Sequence, residues 1–283
     1  MKALFTLVLI SCCVLSAAQT TTTGPEKGHL IIAGGALRDP AVFGKFIELA
    51  GGNESHIIVI PTAGGYEVTD ERKAGLIRTW KNRGAAKVTV LHTKDPKEAN
   101  TKAFADVINE ATGVWLPGGR QWRFADSYLN TKVQENLFKL LERNGVIGGS
   151  SAGATIQGSY LARGDSKTNT IMVGDHEEGF GFVKNIAIDQ HTLARNRQFD
   201  MFEVLEVYPD LLGISLDENT AMLVNGNSFE VIGQSYALVY DGTHWNQIKN
   251  QFTKNAKGQE RFHMLRPGTK YDMAKRKVIP RQR

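Results

Sequence analysis

From residue 29 onward, short apolar runs alternate with longer stretches in which apolar and polar positions interleave. HLIIAGG (29–35), HIIVIPTAGG (56–65), KVTVLHT (87–93), GVWLPGG (113–119) and GVIGG (145–149) are short and rich in aliphatic and β-branched residues. Such runs predict strands buried on both faces. The segments between them carry helical spacing near 41–50, over 71–82 and over 133–143, and Phe104, Val107, Ile108 and Ala111 fall at i, i+3, i+4 and i+7. Strand and helix in alternation predict an α/β domain with a mostly parallel sheet flanked by helices. The glycine pairs Gly34–Gly35, Gly64–Gly65, Gly118–Gly119 and Gly148–Gly149 are expected as turns at the carboxyl ends of strands. Open α/β sheets bind their ligands along that edge. Beyond about residue 165 the pattern becomes strand-like, and ENTAMLVNGNSFEVIG and YALVYDG predict C-terminal β-hairpin additions.

With no internal repeat and no second linker, the pattern predicts one domain over 29–265. A polar linker (19–28, with TTTTGPEKG) precedes it and a basic tail (266–283) follows. Lys2, the apolar stretch ALFTLVLI and the small residues Ser16, Ala17 and Ala18 predict a signal peptide over 1–18 and an exported protein. The apolar stretch is too short to span a bilayer. Leu9–Ile10–Ser11 before Cys12 offers lipoprotein anchoring as the less favoured alternative. Cys12 and Cys13 are the two cysteines of the 283-residue chain, so cleavage after Ala18 leaves none. That excludes disulfides, thiolate metal sites and a cysteine nucleophile from the mature chain. The net charge of +5 gathers partly in the tail, where Lys270, Lys275, Arg276, Lys277, Arg281 and Arg283 face only Asp272. Aromatic and basic residues do not interleave as in single-strand binders, so no nucleic-acid partner is expected.

Chemistry concentrates in GGSSAGA, 148–154. Gly149–Ser150–Ser151–Ala152–Gly153 fits G-x-S-x-G between a predicted strand and a predicted helix over 152–160, the context of a nucleophile elbow. Ser151 is the candidate nucleophile, and the Ala152 N–H with an amide of Gly119 is the candidate oxyanion hole. A serine needs a base. His191, in IAIDQHTLARNRQFD directly after an apolar strand at 186–188, is better placed than His176 in GDHEEGF. Glu218, in GISLDENTAMLV, is the candidate orienting acid, with Asp189, Asp217 and Asp165 in competition. A non-catalytic protein that uses the glycine turns as an anion pocket is the alternative of a different class.

GGSSAGA, LPGGRQ, IDQHTLARNRQ and GISLDENTA together resemble the cyanophycinases and their relatives, the aspartyl dipeptidase-type serine peptidases, over roughly residues 29–240. The resemblance implies a flavodoxin-like, class I glutamine amidotransferase-like fold and a serine peptidase without metal or organic cofactor. It also implies a peptide substrate containing aspartyl residues and a homodimer. Cyanophycinases cleave a polymer with an aspartate backbone and arginine side chains to β-aspartyl-arginine. By motif, Ser151, His191 and Glu218 would be nucleophile, base and acid. Gln121, Asp189, Gln190, Arg195 and Arg197 would match the substrate-pocket segment. The chain departs from the family at GGRQ, where Arg120 stands in place of an acidic or neutral residue. A fixed cation there favours a carboxylate over a substrate arginine, and guanidinium groups at Arg195 and Arg197 suit aspartyl carboxylates.

Overall fold

The computed structural model describes residues 21–242 and 262–280. The expected signal segment, with Cys12 and Cys13, lies outside the described residues. Strands β1 (His29–Ala33), β2 (His56–Val59), β3 (Lys87–Val90), β4 (Gly113–Leu116) and β5 (Val146–Ser150) form at the apolar runs. They pair in parallel in the order β1-β5-β4-β2-β3. The helices α1 (Pro40–Leu49), α2 (Asp70–Asn82) and α6 (Lys132–Glu142) fall within a residue or two of their predicted spans. Asp39 starts α1 by accepting the Ala41 amide at 2.8 Å, and Pro40 fits the first helical position because its missing N–H has no partner to lose there.

Both sheet faces are covered. Ile31 and Ala33 of β1 share a core with Phe43 and Phe46 of α1, Trp80 of α2 and Trp115 of β4, whose rings stack at centroid distances of 5.0–5.8 Å. Leu30 and Ile32 face the larger core with Leu137 and Leu140 of α6. Gly148 and Gly149 lie inside β5 rather than in a turn. A Cβ on Gly148 would sit 2.4 Å from the Trp115 ring, so the bare backbone there makes room for the aromatic stack.

The C-terminal half contains the expected hairpin and adds three features to the expected pattern. First, β6 (Gly158–Tyr160), β7 (Val183–Gln190), β8 (Leu212–Leu216), β11 (Ala237–Tyr240) and β12 (His263–Leu265) form a second sheet in the order β12-β11-β8-β7-β6. Second, the hairpin β9 (Thr220–Asn225) and β10 (Ser228–Gly233) joins the first sheet antiparallel to β1. Third, the expected tail 266–283 folds back. Its β13 (Lys270–Asp272) and β14 (Lys277–Ile279) extend that sheet to nine strands. Tyr271 and Met273 are fully buried, while Lys270, Lys275 and Lys277 are exposed on the edge hairpin. The linker is likewise packed. Thr22 is buried, Lys184 of β7 donates its amide to the Thr23 carbonyl at 2.8 Å, and Gly24 donates to Asn227 Oδ1 at 3.2 Å. Residues 22–24 thus bridge the two sheets.

The helix expected over 152–160 is only α7 (Ala152–Thr155). Tertiary partners end it: the amides of Phe180 and Val183 take the carbonyls of Ile156 and Gln157 at 2.7 and 3.2 Å, and the chain passes directly into β6. The 104–111 window is likewise split, with α4 (Lys102–Ala105) running into a 3-10 turn at Asp106–Glu110.

Candidate active site

The carboxyl end of β1 organises the site. Three successive carbonyls accept amides from three distant segments: Ala33 from Ser151 at 2.9 Å, Gly34 from His191 at 2.8 Å, and Gly35 from Asn219, which follows Glu218, at 2.9 Å. Asn219 Oδ1 in turn accepts the amides of Arg38 and Asp39, both at 2.8 Å, which fixes the next turn.

Ser151 closes β5 with φ 57° and ψ −114°, a backbone conformation that costs a non-glycine residue about 1–3 kcal/mol. The turn is held because its neighbours two residues away have no side chains. A Cβ on Gly149 would lie 2.1 Å from the Gly153 carbonyl oxygen, and one on Gly153 would lie 1.8 Å from that of Leu116. The strained turn lifts the hydroxyl off the sheet toward His191.

His191 lies just beyond β7, and Glu218 lies between β8 and β9. His191 Nε2 is 3.0 Å from Ser151 Oγ, and Nδ1 is 2.6 Å from Glu218 Oε1. The imidazole is buried and Glu218 is about one-third exposed (35%). Gly35 is shaped to this ring, since a Cβ there would come within 2.3 Å of it, at a φ of +122°. Burial lowers the His191 pKa below the ordinary value, and the cations of Arg195 and Arg197 act in the same direction, against the hydrogen bond to Glu218. The ring is therefore neutral near pH 7 and able to accept a proton from the serine.

A hydroxyl, a neutral imidazole and a carboxylate in line on a strained strand-to-helix turn are the parts of an activated serine. The sequence pattern of peptidase family S51 matches residues 30–232. The chain belongs to peptidase family S51. It is a serine-type peptidase on an α/β, flavodoxin-like fold. It is 26% identical over 274 residues to the cyanophycinase of Trichormus variabilis, covering 93% of this chain and 91% of that one. It is 27% identical over 225 residues to the cyanophycinase of Geminocystis herdmanii, covering 76% and 81%. Two solved structures share the fold. A peptidase from an acI-B1 Actinobacterium superposes with a TM-score of 0.65 at 19% identity, over 88% of this chain and 98% of that one. A putative peptidase E from Listeria monocytogenes superposes at 0.52 and 17% identity, over 74% and 100%.

The other acids considered for the S51 site have partners elsewhere. Asp217 accepts the amides of Leu193 and Ala194 and the Ser235 hydroxyl. Asp165 accepts the Thr168 amide. Asp189 is buried in a two-pronged pair with Arg163, at 2.7 and 3.0 Å, and Arg163 also reaches Asp200. His176, the rival base, lies between Asp126 and Asp175 at 2.9 and 3.1 Å.

Of the residues expected to hold substrate, three are engaged within the protein. Gln121 is buried and donates to the carbonyls of Ala162 and Arg163 at 2.9 and 2.7 Å, Asp189 is neutralised by Arg163, and Arg197 is mostly buried near the Gln190 carbonyl. Gln190 keeps a buried Oε1 without a hydrogen-bond partner, and Arg195 is exposed. Gly119 packs its Cα on the Ala63 carbonyl, whereas Gly118 faces the serine: a Cβ on Gly118 would lie 3.7 Å from Ser151 Oγ. Asn219 and Arg163 are positions that sequence reasoning did not single out. The GG pair at 34–35 pointed to the right edge of the sheet but not to the histidine resting on it.

Among the described residues, no group of three or more His, Cys, Asp or Glu is arranged to hold a metal ion, and no helix is long and apolar enough to cross a membrane. A cavity of about 510 Å³ opens directly onto Ser151 and His191.

Proposed function

We propose that this peptidase is exported and hydrolyses peptides containing aspartyl residues through Ser151, His191 and Glu218. The unbroken Oγ–Nε2 and Nδ1–Oε1 contacts at 3.0 and 2.6 Å support this reading most directly. His191 Nε2 takes the hydroxyl proton as Ser151 Oγ bonds to the scissile carbonyl carbon. Glu218 holds the Nδ1 proton and stabilises the imidazolium. The Ala152 N–H, with an amide of the Gly118–Gly119 turn, holds the oxyanion. The C–N bond then breaks, and the imidazolium gives its proton to the departing amine. Water, activated by the same histidine, releases the acyl group and restores the serine hydroxyl. Exposed Arg195 and the unpartnered Gln190 Oε1 are suited to the aspartyl carboxylate and amine. Export rests on the sequence of residues 1–18.

The relatives named cyanophycinase make cyanophycin the first substrate to try, together with α- and β-aspartyl dipeptides. Release of product amines by the wild type, and its loss in Ser151→Ala, is the expected result. An unchanged rate in Ser151→Ala removes the serine from the reaction. N-terminal sequencing of protein recovered from outside the cytoplasm checks export: cleavage near Ala18 is expected.

A further inference from the structure

One buried charged side chain has no part in the reaction steps. Arg163 is 1% exposed and lies in the turn after β6, with φ at 55°. A guanidinium carries five N–H groups, and this one makes five hydrogen bonds. Nε and Nη2 meet the two carboxylate oxygens of Asp189 at 2.7 and 3.0 Å, and Nη2 also meets Asp200 Oδ2 at 2.5 Å. Nη1 donates to the carbonyls of Asn169 and Thr170 at 3.3 and 3.2 Å. Taking such a pair out of water is costly, and apolar residues of similar volume often give equal or greater stability. Stability alone therefore does not account for the pair.

Its neighbours supply another reason. Asp189 stands two residues before His191 at the carboxyl end of β7. Gln121, two residues after Gly119, donates to the carbonyls of Ala162 and Arg163 at 2.9 and 2.7 Å, and Arg120 Nη2 donates to the Asp165 carbonyl at 2.9 Å. Asp200 closes the segment that carries Arg195 and Arg197. One guanidinium thus joins the turn that offers oxyanion amides, the strand end that offers the base, and the cationic segment beside it.

We propose that Arg163 is a positioning residue of the hydrolytic reaction, one that fixes His191 through Asp189 and sets its distance from the Gly118–Gly119 turn. The inference rests on the peptidase reading of Ser151 and His191. Two parallel N–H groups on one carboxylate fix direction as well as distance, which the point charge of a lysine does not. The β1 carbonyls hold the backbone of Ser151 and His191 from one side, and Arg163 holds the end of β7 from the other. Misplacing a reacting group by about 1 Å costs on the order of 10²-fold in rate. A positioning role therefore appears in kcat, whereas an Asp189 that bound substrate directly would appear in KM.

The first test is Arg163→Met combined with Asp189→Leu, which removes the pair without leaving a buried charge behind. Asp200 is 32% exposed and can keep water in place of the guanidinium. Thermal melting close to that of the wild type is expected, with kcat on the best aspartyl dipeptide lower by about 10²-fold and KM within about threefold. A folded double variant with the wild-type kcat, or with a change confined to KM, overturns the proposal. The second test is Arg163→Gly, since glycine suits the left-handed backbone at this position and vacates the space. Millimolar ethylguanidinium is expected to restore kcat by about tenfold or more, and ethylammonium at the same concentration is not, because only the former reproduces the fork. No gain with ethylguanidinium, or an equal gain with ethylammonium, overturns the proposal and leaves the peptidase reading standing. A wild type without turnover overturns both.

Discussion

Two histidines in this molecule sit against carboxylates at nearly the same distances, yet their protons behave in opposite ways. His191 touches one carboxylate, Glu218, and one hydroxyl, Ser151, with Arg195 and Arg197 nearby. His176 touches two carboxylates, Asp126 and Asp175. Burial disfavours the charge of both rings. At His176 the two carboxylates outweigh it and raise the pKa, whereas at His191 burial and the two arginines outweigh the single glutamate and lower it. One ring is therefore a proton acceptor near neutrality, while the other holds its proton more tightly than a free imidazole and links helix α5 (Trp122–Tyr128) to the 164–176 loop. Acidic company alone does not mark a base. The number of carboxylates, set against burial and nearby cations, decides.

The contrast breaks most sharply at the serine. Ser151→Ala and His191→Ala are each expected to lower kcat by about 10⁴–10⁶-fold, and the double variant should cost no more than the worse single one, because the groups act as a unit. Glu218→Gln should cost about 10³–10⁴-fold, by analogy with removing the charge that orients a catalytic imidazole. Single-turnover rates on the best aspartyl substrate check both. Steady-state activity unaffected by His191→Ala would hand the role of base to another group.

Gly35→Ala sharpens the comparison without replacing a titrating group. The added methyl would press on the His191 ring at 2.3 Å, so a loss of about 10²-fold in kcat is expected with the circular dichroism spectrum unchanged. No comparable effect is expected from changes around His176.

The pH profiles should diverge next. Because the His191 pKa is lowered, kcat/KM should rise with pH through a midpoint below 6.5 and then level off. Arg195→Gln removes a cation that lowers it and should move that midpoint upward. A midpoint above 7 in the wild type would contradict the lowered value.

The smallest effect belongs to His176→Gln, a loss of about 0.2–1 kcal/mol of stability, typical of a partly exposed ion pair. A folded pKa raised above the unfolded one means that the contribution is fully present below about 6.5 and fades as pH rises through the folded value. Chemical denaturation of wild type and variant at pH 6 and pH 9 should therefore show a gap at pH 6 that closes at pH 9.

The serine turn was legible because its chemistry is local: Gly149 and Gly153 must be bare for Ser151 to adopt its backbone, and that requirement is written within five residues. The parallel strands were legible for the same reason, as apolar runs bounded by turns. What escaped depends on partners far along the chain. Asp189 reads as a free carboxylate until Arg163, 26 residues earlier, is seen to neutralise it. The helix after Ser151 reads as longer because its terminating contacts come from Phe180 and Val183. The final hairpin reads as a basic tail because one buried tyrosine between Lys270 and Asp272 is a weak strand signal. Two sheets rather than one cannot be distinguished by strand pattern at all, since apolar strands look alike whichever neighbour they join.

The carbonyls of Ala33, Gly34 and Gly35 carry the nucleophile, the base and the neighbour of the acid in consecutive order. Main-chain oxygens survive nearly any exchange of side chain, so the spacing of the reactive groups is protected from most point mutations in this stretch. A deletion or insertion of one residue is different. It would throw all three segments out of step simultaneously, so length, more than identity, is what this short stretch must preserve.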